Sequence, residues 1–341
     1  MNCYDNELTN IDLSANTELS HLVIFNNDLT SLNVSANTAL QELNCDQNDL
    51  TSLDLSTNTA LLSLSCSEND LSNLDVSVNT ELQFLECMRN ELTSLDLSTN
   101  TELQKLNFGY NQFTSIDVST NTELQNLSFE NNQLSELDIT ANPKLLSLGF
   151  KGNQLTDLDI SNNLKLTFLD CDNNQITSID VSNHPDIGWL TCVSNQLTSL
   201  DLRNGSNATW VRFRGQDNPE LTCIFVDNAY WSTENWTYVD PASTFVNNEA
   251  DCNELSIGEN TFGTDVKLYP NPSKEQSQIN LGKTYTDVTV QLIDVLGKTI
   301  DKFDFPSTQY VELNTSGYAN GFYFIKVKAE SNTAVLKLIV E

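Results

Sequence analysis

Positive charge is scarce in this 341-residue sequence: Lys and Arg number 16 against 47 Asp and Glu, and none occurs before Arg89. The formal net charge of -31 argues against unaided binding to nucleic acid or to an anionic membrane surface, because both repel a polyanion. No apolar run reaches the roughly 18 residues that a membrane-spanning helix needs. Histidine is limited to His21 and His184. Phosphate-cradling glycine loops, HExxH and GxSxG are all missing, which removes the common signatures of nucleotide, zinc-protease and hydrolase chemistry.

The charge that is present is uneven. Residues 265–341 hold 8 basic and 9 acidic side chains, leaving 8 basic and 38 acidic for residues 1–264. This break places a domain boundary near residue 264, with the polar stretch 253–264 as the linker.

What fills residues 1–216 is a repeat. The chain matches itself at a period of 21 across ten units, in a register set by Leu8, Leu29, Leu50, Leu71, Leu92, Phe113, Leu134, Leu155, Ile176 and Leu197. In the unit Leu40 to Ala60, Leu43 and Cys45 alternate with polar neighbours as a short strand does, and Leu53 and Leu55 do so again. Each unit therefore reads as two short extended segments and two turns. Such a unit buries its apolar face only when others stack above and below it, and stacking at strand spacing makes a parallel sheet.

Three columns run through the stack. Asn occupies one turn at Asn6, Asn27, Asn48, Asn69, Asn90, Asn111, Asn132, Asn153, Asn174 and Asn195, giving way to Gln216; an amide carries donors and an acceptor, so this ladder is structural. An apolar column reads Cys3, Ile24, Cys45, Cys66, Cys87, Phe108, Phe129, Phe150, Cys171, Cys192 and Phe213. A thiol that trades places with Phe is a small core hydrophobe, and no flanking ligands suggest a metal site. A third column, Asp12, Asn33, Asp54, Asp75, Asp96, Asp117, Asp138, Asp159, Asp180 and Asp201, reads first as a solvated, turn-capping face and second as a row of weak calcium contacts.

The pattern LxxLxLxxNxL in these units resembles the leucine-rich-repeat family, which implies a solenoid with a parallel β-sheet on one side and short second strands or turns on the other. The opening Met1-Asn2-Cys3-Tyr4 lies inside a repeat and lacks the basic start and apolar core of a leader. The expectation is that a signal peptide and an N-terminal cap precede it.

Residues 217–252 resemble the disulfide-stapled C-terminal cap of leucine-rich-repeat proteins of Bacteroidetes. Cys223 and Cys252 stand outside the core column, and an even leftover pair in an exported protein favours a bridge. Residues 265–341 resemble the type A sorting domain of the type IX secretion system. The resemblance is carried by Leu268-Tyr269-Pro270-Asn271-Pro272, by Val295-Leu296-Gly297-Lys298, by Gly321-Phe322-Tyr323 and by Lys337 with the apolar end that follows. Independently, alternating runs separated by Gly, Asn and Pro read as a small antiparallel β-sandwich. The resemblance implies export by the type IX machinery, removal of the domain, and release or attachment at the outer-membrane surface.

For function, the sequence favours a binding protein over an enzyme. His21 and His184 lie nearly eight repeats apart, roughly 35 to 40 Å at strand spacing, and the column cysteines are expected to be buried. No cofactor or metal is implied. A solenoid offers a long concave sheet whose outward side chains are free of folding duty. One outward column reads His21, Glu42, Ser63, Phe84, Lys105, Asn126, Ser147, Phe168, Trp189 and Trp210, so three successive strands present large aromatics. Asp170, Arg212 and Arg214 flank them. The expected ligand is an extracellular protein or glycan held by Phe168, Trp189, Trp210, Arg212, Arg214 and Asp170. The alternatives are that Trp210 and the two arginines pack on the cap, or that the chain is a structural or adhesive surface-layer protein without a pocket.

Overall fold

The computed structural model describes residues 1–255, 262, 265–295, 297–330 and 332–341. Most of the expected linker 253–264, and Leu296 of the sorting motif, lie outside the described residues. The chain divides into two compact units, Met1–Cys252 and Asn253–Glu341.

The first unit is the leucine-rich-repeat solenoid. Ten three-residue strands, from His21–Val23 to Arg212–Arg214, form one parallel sheet in chain order. In each strand the middle residue points inward and is buried, as Leu43, Leu64 and Leu85 are, while its neighbours face out. A second sheet lies opposite only near the C-terminal end, where Ser178–Asp180, Ser199–Asp201, Cys223–Phe225 and Thr244–Val246 pair in parallel. In earlier repeats the second segment forms no ladder and leads into a turn. Just before that segment, successive units are joined by single main-chain bonds such as Asp70 N to Leu50 O at 2.9 Å.

Asparagine closes each turn. The Asn48 amide donates to the carbonyls of Ile24, Cys45 and Asp46 at 3.0 to 3.1 Å, and its Oδ1 accepts from Leu29 N at 3.1 Å. One side chain thus satisfies groups of two successive units, which removes the cost of burying them unpaired. The residue before each ladder asparagine is held at positive φ even where it is Arg89 or Tyr110.

A second ladder runs through Asn37, Asn58, Asn79, Asn100, Asn121, Asn142 and Asn163, all fully buried. Asn58 donates to Val34 O at 3.1 Å and Asn37 O at 2.9 Å. His184 takes the next place, its Nε2 3.1 Å from Ile160 O.

The register of the ten-stranded sheet changes once. Trp189, Leu190 and Thr191 pair with Arg212, Phe213 and Arg214, a step of 23 residues rather than 21. Two residues are inserted between Asp201 and Trp210, in the stretch containing the 3-10 turn Asn207–Thr209. The columns of this sheet and of the first ladder are displaced accordingly, while in the second sheet Leu200 pairs with Ile224, a step of 24. Asn218, not Gln216, continues the first ladder, donating to Cys192 O at 2.9 Å and accepting from Leu197 N at 3.1 Å. Phe213 fills the inward strand position, and Gly215 follows it in the cysteine column; a Cβ on Gly215 would meet the Phe213 ring at 3.0 Å.

The cap that closes the core comprises helix Ala229–Asn235, helix Glu249–Leu255 and the Cys223–Cys252 disulfide. Asn228 caps the first helix by accepting from Trp231 N at 3.0 Å. The expected bridge is therefore present. Of the other six cysteines, Cys45, Cys66, Cys87, Cys171 and Cys192 are buried and Cys3 is half-buried.

The second unit is antiparallel. Lys267–Tyr269, Gln276–Ile293, Thr299–Asn314, Gly321–Ala329 and Asn332–Val340 share one hydrogen-bonded network. Alternation sets its faces: Tyr323, Ile325, Val327 and Ala329 are buried, whereas Phe322, Phe324, Lys326 and Lys328 are exposed. The sheet curls back on itself where Ser273 bridges Val340, with Ser273 N donating to Ile339 O at 2.8 Å.

Candidate ligand-binding surface

Phe168 and Trp189 stand on neighbouring strands with paired Cα positions and ring centroids 5.5 Å apart. Both are half-buried on the outward face. Arg212 follows on the last strand, where its guanidinium carbon sits 4.4 Å from the centroid of the Trp189 ring. A stripe of two aromatics and one cation results, with the cation held over the indole face by its quadrupole.

Trp210 is not part of that stripe, contrary to the expectation. Only 7% of it is exposed, and its ring packs 5.3 Å from Trp236 and 6.4 Å from Phe213. The insertion moves Trp210 into the inward position that Leu166 and Ile187 hold in earlier turns, so it belongs to the cap. A column counted at a fixed 21 residues passes this shift by. The Asn204-Gly205-Ser206-Asn207 run was the available signal.

The next outward column reads Gly149, Asp170, Thr191 and Arg214. Asp170 is half-buried, two strands from Arg214. Beside it Asp172 accepts from Val193 N at 2.7 Å. Burial, with Asp170 adding repulsion, pushes the Asp172 carboxyl above the usual range. Glu130 is raised in the same way, by burial first and Asp170 second. The surface therefore changes sign along its length, from acidic in the middle to basic at the C-terminal end.

At that basic end a cavity of about 310 Å³ opens between the last strand and the cap. Arg212 and Arg214 line it together with Trp210, Trp231, Trp236 and Tyr238. The Arg214 guanidinium stacks on Tyr238, 5.0 Å from the ring centroid. The cap aromatics Trp231, Trp236 and Tyr238 were legible in the sequence only as cap residues, because nothing in their spacing ties them to the sheet.

Nucleophilic chemistry finds no support here. Burial raises the thiols of Cys45, Cys66, Cys87, Cys171 and Cys192, that of Cys87 to about 12 with the neighbouring Glu86 adding to it, so these stay protonated. Among the described residues no group of three or more His, Cys, Asp or Glu is placed to hold a metal ion. The aspartate column caps turns: Asp96 Oδ1 accepts from Ser98 N at 3.0 Å, and Asn33 makes the same bond to Ser35 N.

In the second unit the motif residues meet through hydrogen bonds. Asn271, between Pro270 and Pro272, donates to Lys337 O at 2.7 Å and accepts from Ile339 N at 2.9 Å, tying the start of the domain to its last strand. Tyr323 is buried and donates to Ala319 O at 2.8 Å. Gly321 opens the strand that pairs with that last strand, and the Lys337 ammonium lies 4.2 Å from the Phe322 ring centroid.

Comparison with known proteins agrees with both units. Residues 267–341 match the family model of a secretion system C-terminal sorting domain. An endo-acting ulvan lyase of Formosa agariphila is 34% identical over 87 residues, which is 25% of this chain and 17% of that protein. A leucine-rich-repeat protein of Leptospira interrogans is 19% identical, with 74% of each chain covered and a TM-score of 0.54. The leucine-rich-repeat ectodomain of a plant membrane receptor kinase from Arabidopsis thaliana, solved with Casparian strip integrity factor 2, is 23% identical over 69% of this chain and 28% of its own, with a TM-score of 0.52. These structural likenesses show the fold.

The chain is thus a leucine-rich-repeat solenoid with a type IX C-terminal sorting domain. That domain marks it for secretion or attachment at the cell surface, and among the described residues no helix is long and apolar enough to cross a membrane.

Proposed function

We propose that the exported solenoid is a non-enzymatic binding protein that recognises an extracellular protein or glycan at the C-terminal end of its outward sheet face, through Phe168, Trp189, Arg212 and Arg214. Residues 1–216 supply the sheet, residues 217–252 close it, and residues 265–341 address the protein across 253–264. The observation that carries this reading is the Arg212 guanidinium on the Trp189 ring beside Phe168. Such a stripe on a chain of net charge -31 has no folding duty, since the core is complete on the other face, and aromatics with Arg are what binding hot spots favour.

The test is an array of extracellular proteins and glycans probed with the full chain, followed by titration of whatever binds. Trp189→Ala is expected to weaken binding by about thirtyfold, the equivalent of a hot spot of about 2 kcal/mol. Ser63→Ala, in the same column five strands earlier on the path to Phe168, is expected to change it less than about twofold. Undiminished binding by folded Trp189→Ala rejects the site. No ligand for the wild-type chain in any arm favours a passive surface layer instead.

A further inference from the structure

The cavity beside the stripe has a composition unlike the rest of the solenoid. Its walls hold two guanidinium groups and no carboxylate, although residues 1–264 carry 38 acidic side chains against 8 basic. Of those eight, Arg89, Lys105, Lys144 and Arg203 are ion-paired. Arg212 and Arg214 form no ion pair among the described residues; they lie on the rings of Trp189 and Tyr238 instead. The Arg214 Nε and the Trp210 Nε1 are buried without an acceptor. Buried donors are nearly always paired in native proteins, and these two belong to side chains that line the same cavity.

We propose that this cavity receives a single acidic sugar residue at the end of an extracellular glycan, its carboxylate or sulfate meeting Arg214 and Arg212 and its ring lying against the aromatic wall. The proposal rests on the binding reading above and names the ligand class for the same surface. Anion recognition follows from the two guanidinium groups in the cavity wall, each a planar fork matched to a carboxylate or sulfate. The half-buried Trp231 and exposed Tyr238 supply flat faces suited to a ring that is apolar on one side and polar at its edge. A volume of about 310 Å³ is at the lower end of small-ligand sites and fits a chain end rather than a long segment.

Two further features favour a sugar over a peptide and one residue over many. A peptide adding to the sheet needs free main-chain groups at its edge, yet Gly215 N, just past the last strand, is already bonded to Tyr238 O at 2.9 Å. Beyond the cavity the face turns acidic at Asp170, Asp172 and Glu130, which repels a polyanion laid along it. Only the terminal residue of the glycan then carries the recognised charge.

The experiment titrates the full chain at low salt, by calorimetry, with oligosaccharides ending in a uronic acid, in a sulfated sugar or in the neutral counterpart, and with a short peptide as free acid and as amide. Either acidic sugar is expected to bind at least tenfold more tightly than the neutral one, and the comparison of the two shows which anion is preferred. Arg212→Gln, at an exposed position where folding is not at risk, and Arg214→Gln are each expected to remove that preference, and Trp231→Ala to weaken binding by tenfold or more. Equal binding of charged and neutral sugars, an unaltered preference in Arg212→Gln and Arg214→Gln, binding of the peptide acid alone, or no binding at all overturns the inference. If an array ligand of another class binds and is lost in Trp189→Ala, the inference falls while the binding reading stands. If acidic sugars bind without regard to Trp189, the stripe is set aside and the cavity stands.

Discussion

Trp189 and Arg212 face each other across the last two strands of the ten-stranded sheet, the guanidinium carbon 4.4 Å from the indole centroid. Trp210, which a strict 21-residue count sets in the place of Arg212, lies in the cap against Trp236. The two tryptophans therefore have opposite duties. Trp210→Ala is expected to destabilise the solenoid by about 3 to 5 kcal/mol, as large aromatics deleted from cores do, whereas Trp189→Ala is expected to cost less than about 1 kcal/mol. Chemical denaturation of both variants checks this, and a Trp189 variant as unstable as the Trp210 one would make the stripe a folding element.

The asparagine ladders differ in what they hold. Asn111 donates to Cys87, Phe108 and Gly109 carbonyls and accepts from Leu92 N, while Asn100 donates only to Val76 and Asn79 carbonyls and its Oδ1 has no partner. Asn111→Ala orphans a buried N–H as well as carbonyls and is expected to cost about 3 kcal/mol, against about 1 to 2 for Asn100→Ala. Urea unfolding should preserve that order; equal losses would contradict the role given to the Leu92 N–H bond.

The Cys223–Cys252 bridge closes a separation of 29 residues. Chain entropy assigns such a loop about 3 to 4 kcal/mol. Alkylation under denaturing, non-reducing conditions is expected to label the six other cysteines and neither of these two, and Cys223→Ala with Cys252→Ala to lower stability by about that amount. Labelling at Cys223 or Cys252 in the native protein would remove the bridge from the cap.

Acid should weaken the solenoid through the aspartate column. Hydrogen bonds from Ser56, Ser77, Ser98 and Ser119 hold Asp54, Asp75, Asp96 and Asp117 below the ordinary carboxylate range. A carboxylate whose folded pKa is depressed contributes stability above its unfolded value, and that contribution is lost as pH falls through the folded one. Thermal unfolding is therefore expected to shift downward below about pH 4. Asn33 caps its turn with an amide, so replacing these four residues with Asn should keep the turns and flatten the acid limb. An unchanged limb in that variant would assign the acid sensitivity elsewhere.

The sorting domain is expected to act alone as an address. Residues 265–341 fused behind a signal peptide and an unrelated reporter should reach the outside of a bacterium that has the type IX system, and Asn271→Ala should reduce export by freeing the final strand from its bonds at Lys337 and Ile339. Reporter held in the periplasm beside an exported natural cargo would refute the assignment.

The sequence by itself determined the stack. A 21-residue period with Leu, Asn and Cys or Phe columns admits few ways to bury its apolar face, and each ladder asparagine is needed within one turn of its neighbours, so local pattern and global fold agree. The antiparallel strands of the C-terminal unit were legible for the same reason, through alternation. The second ladder was not read, although Asn58 and its equivalents recur in plain sight, because an Asn in a polar turn looks like any solvated turn residue until the next unit buries it. His184 in that ladder illustrates the point: its type breaks the column, yet its Nε2 meets the Ile160 carbonyl that an asparagine would otherwise bind.

Only the tertiary structure decided which side chains share the outward face at the C-terminal end of the sheet. Two inserted residues leave the local pattern nearly intact but displace the next strand by two positions, which sends Trp210 inward and brings Arg212 over Trp189. The cavity adds a condition that no column contains: Trp231, Trp236 and Tyr238 reach Arg214 because the cap folds back over the last strand, a contact between segments with no shared period. Repetition fixes what each unit shares with its neighbours, and the surface that distinguishes this protein arises where the repetition stops.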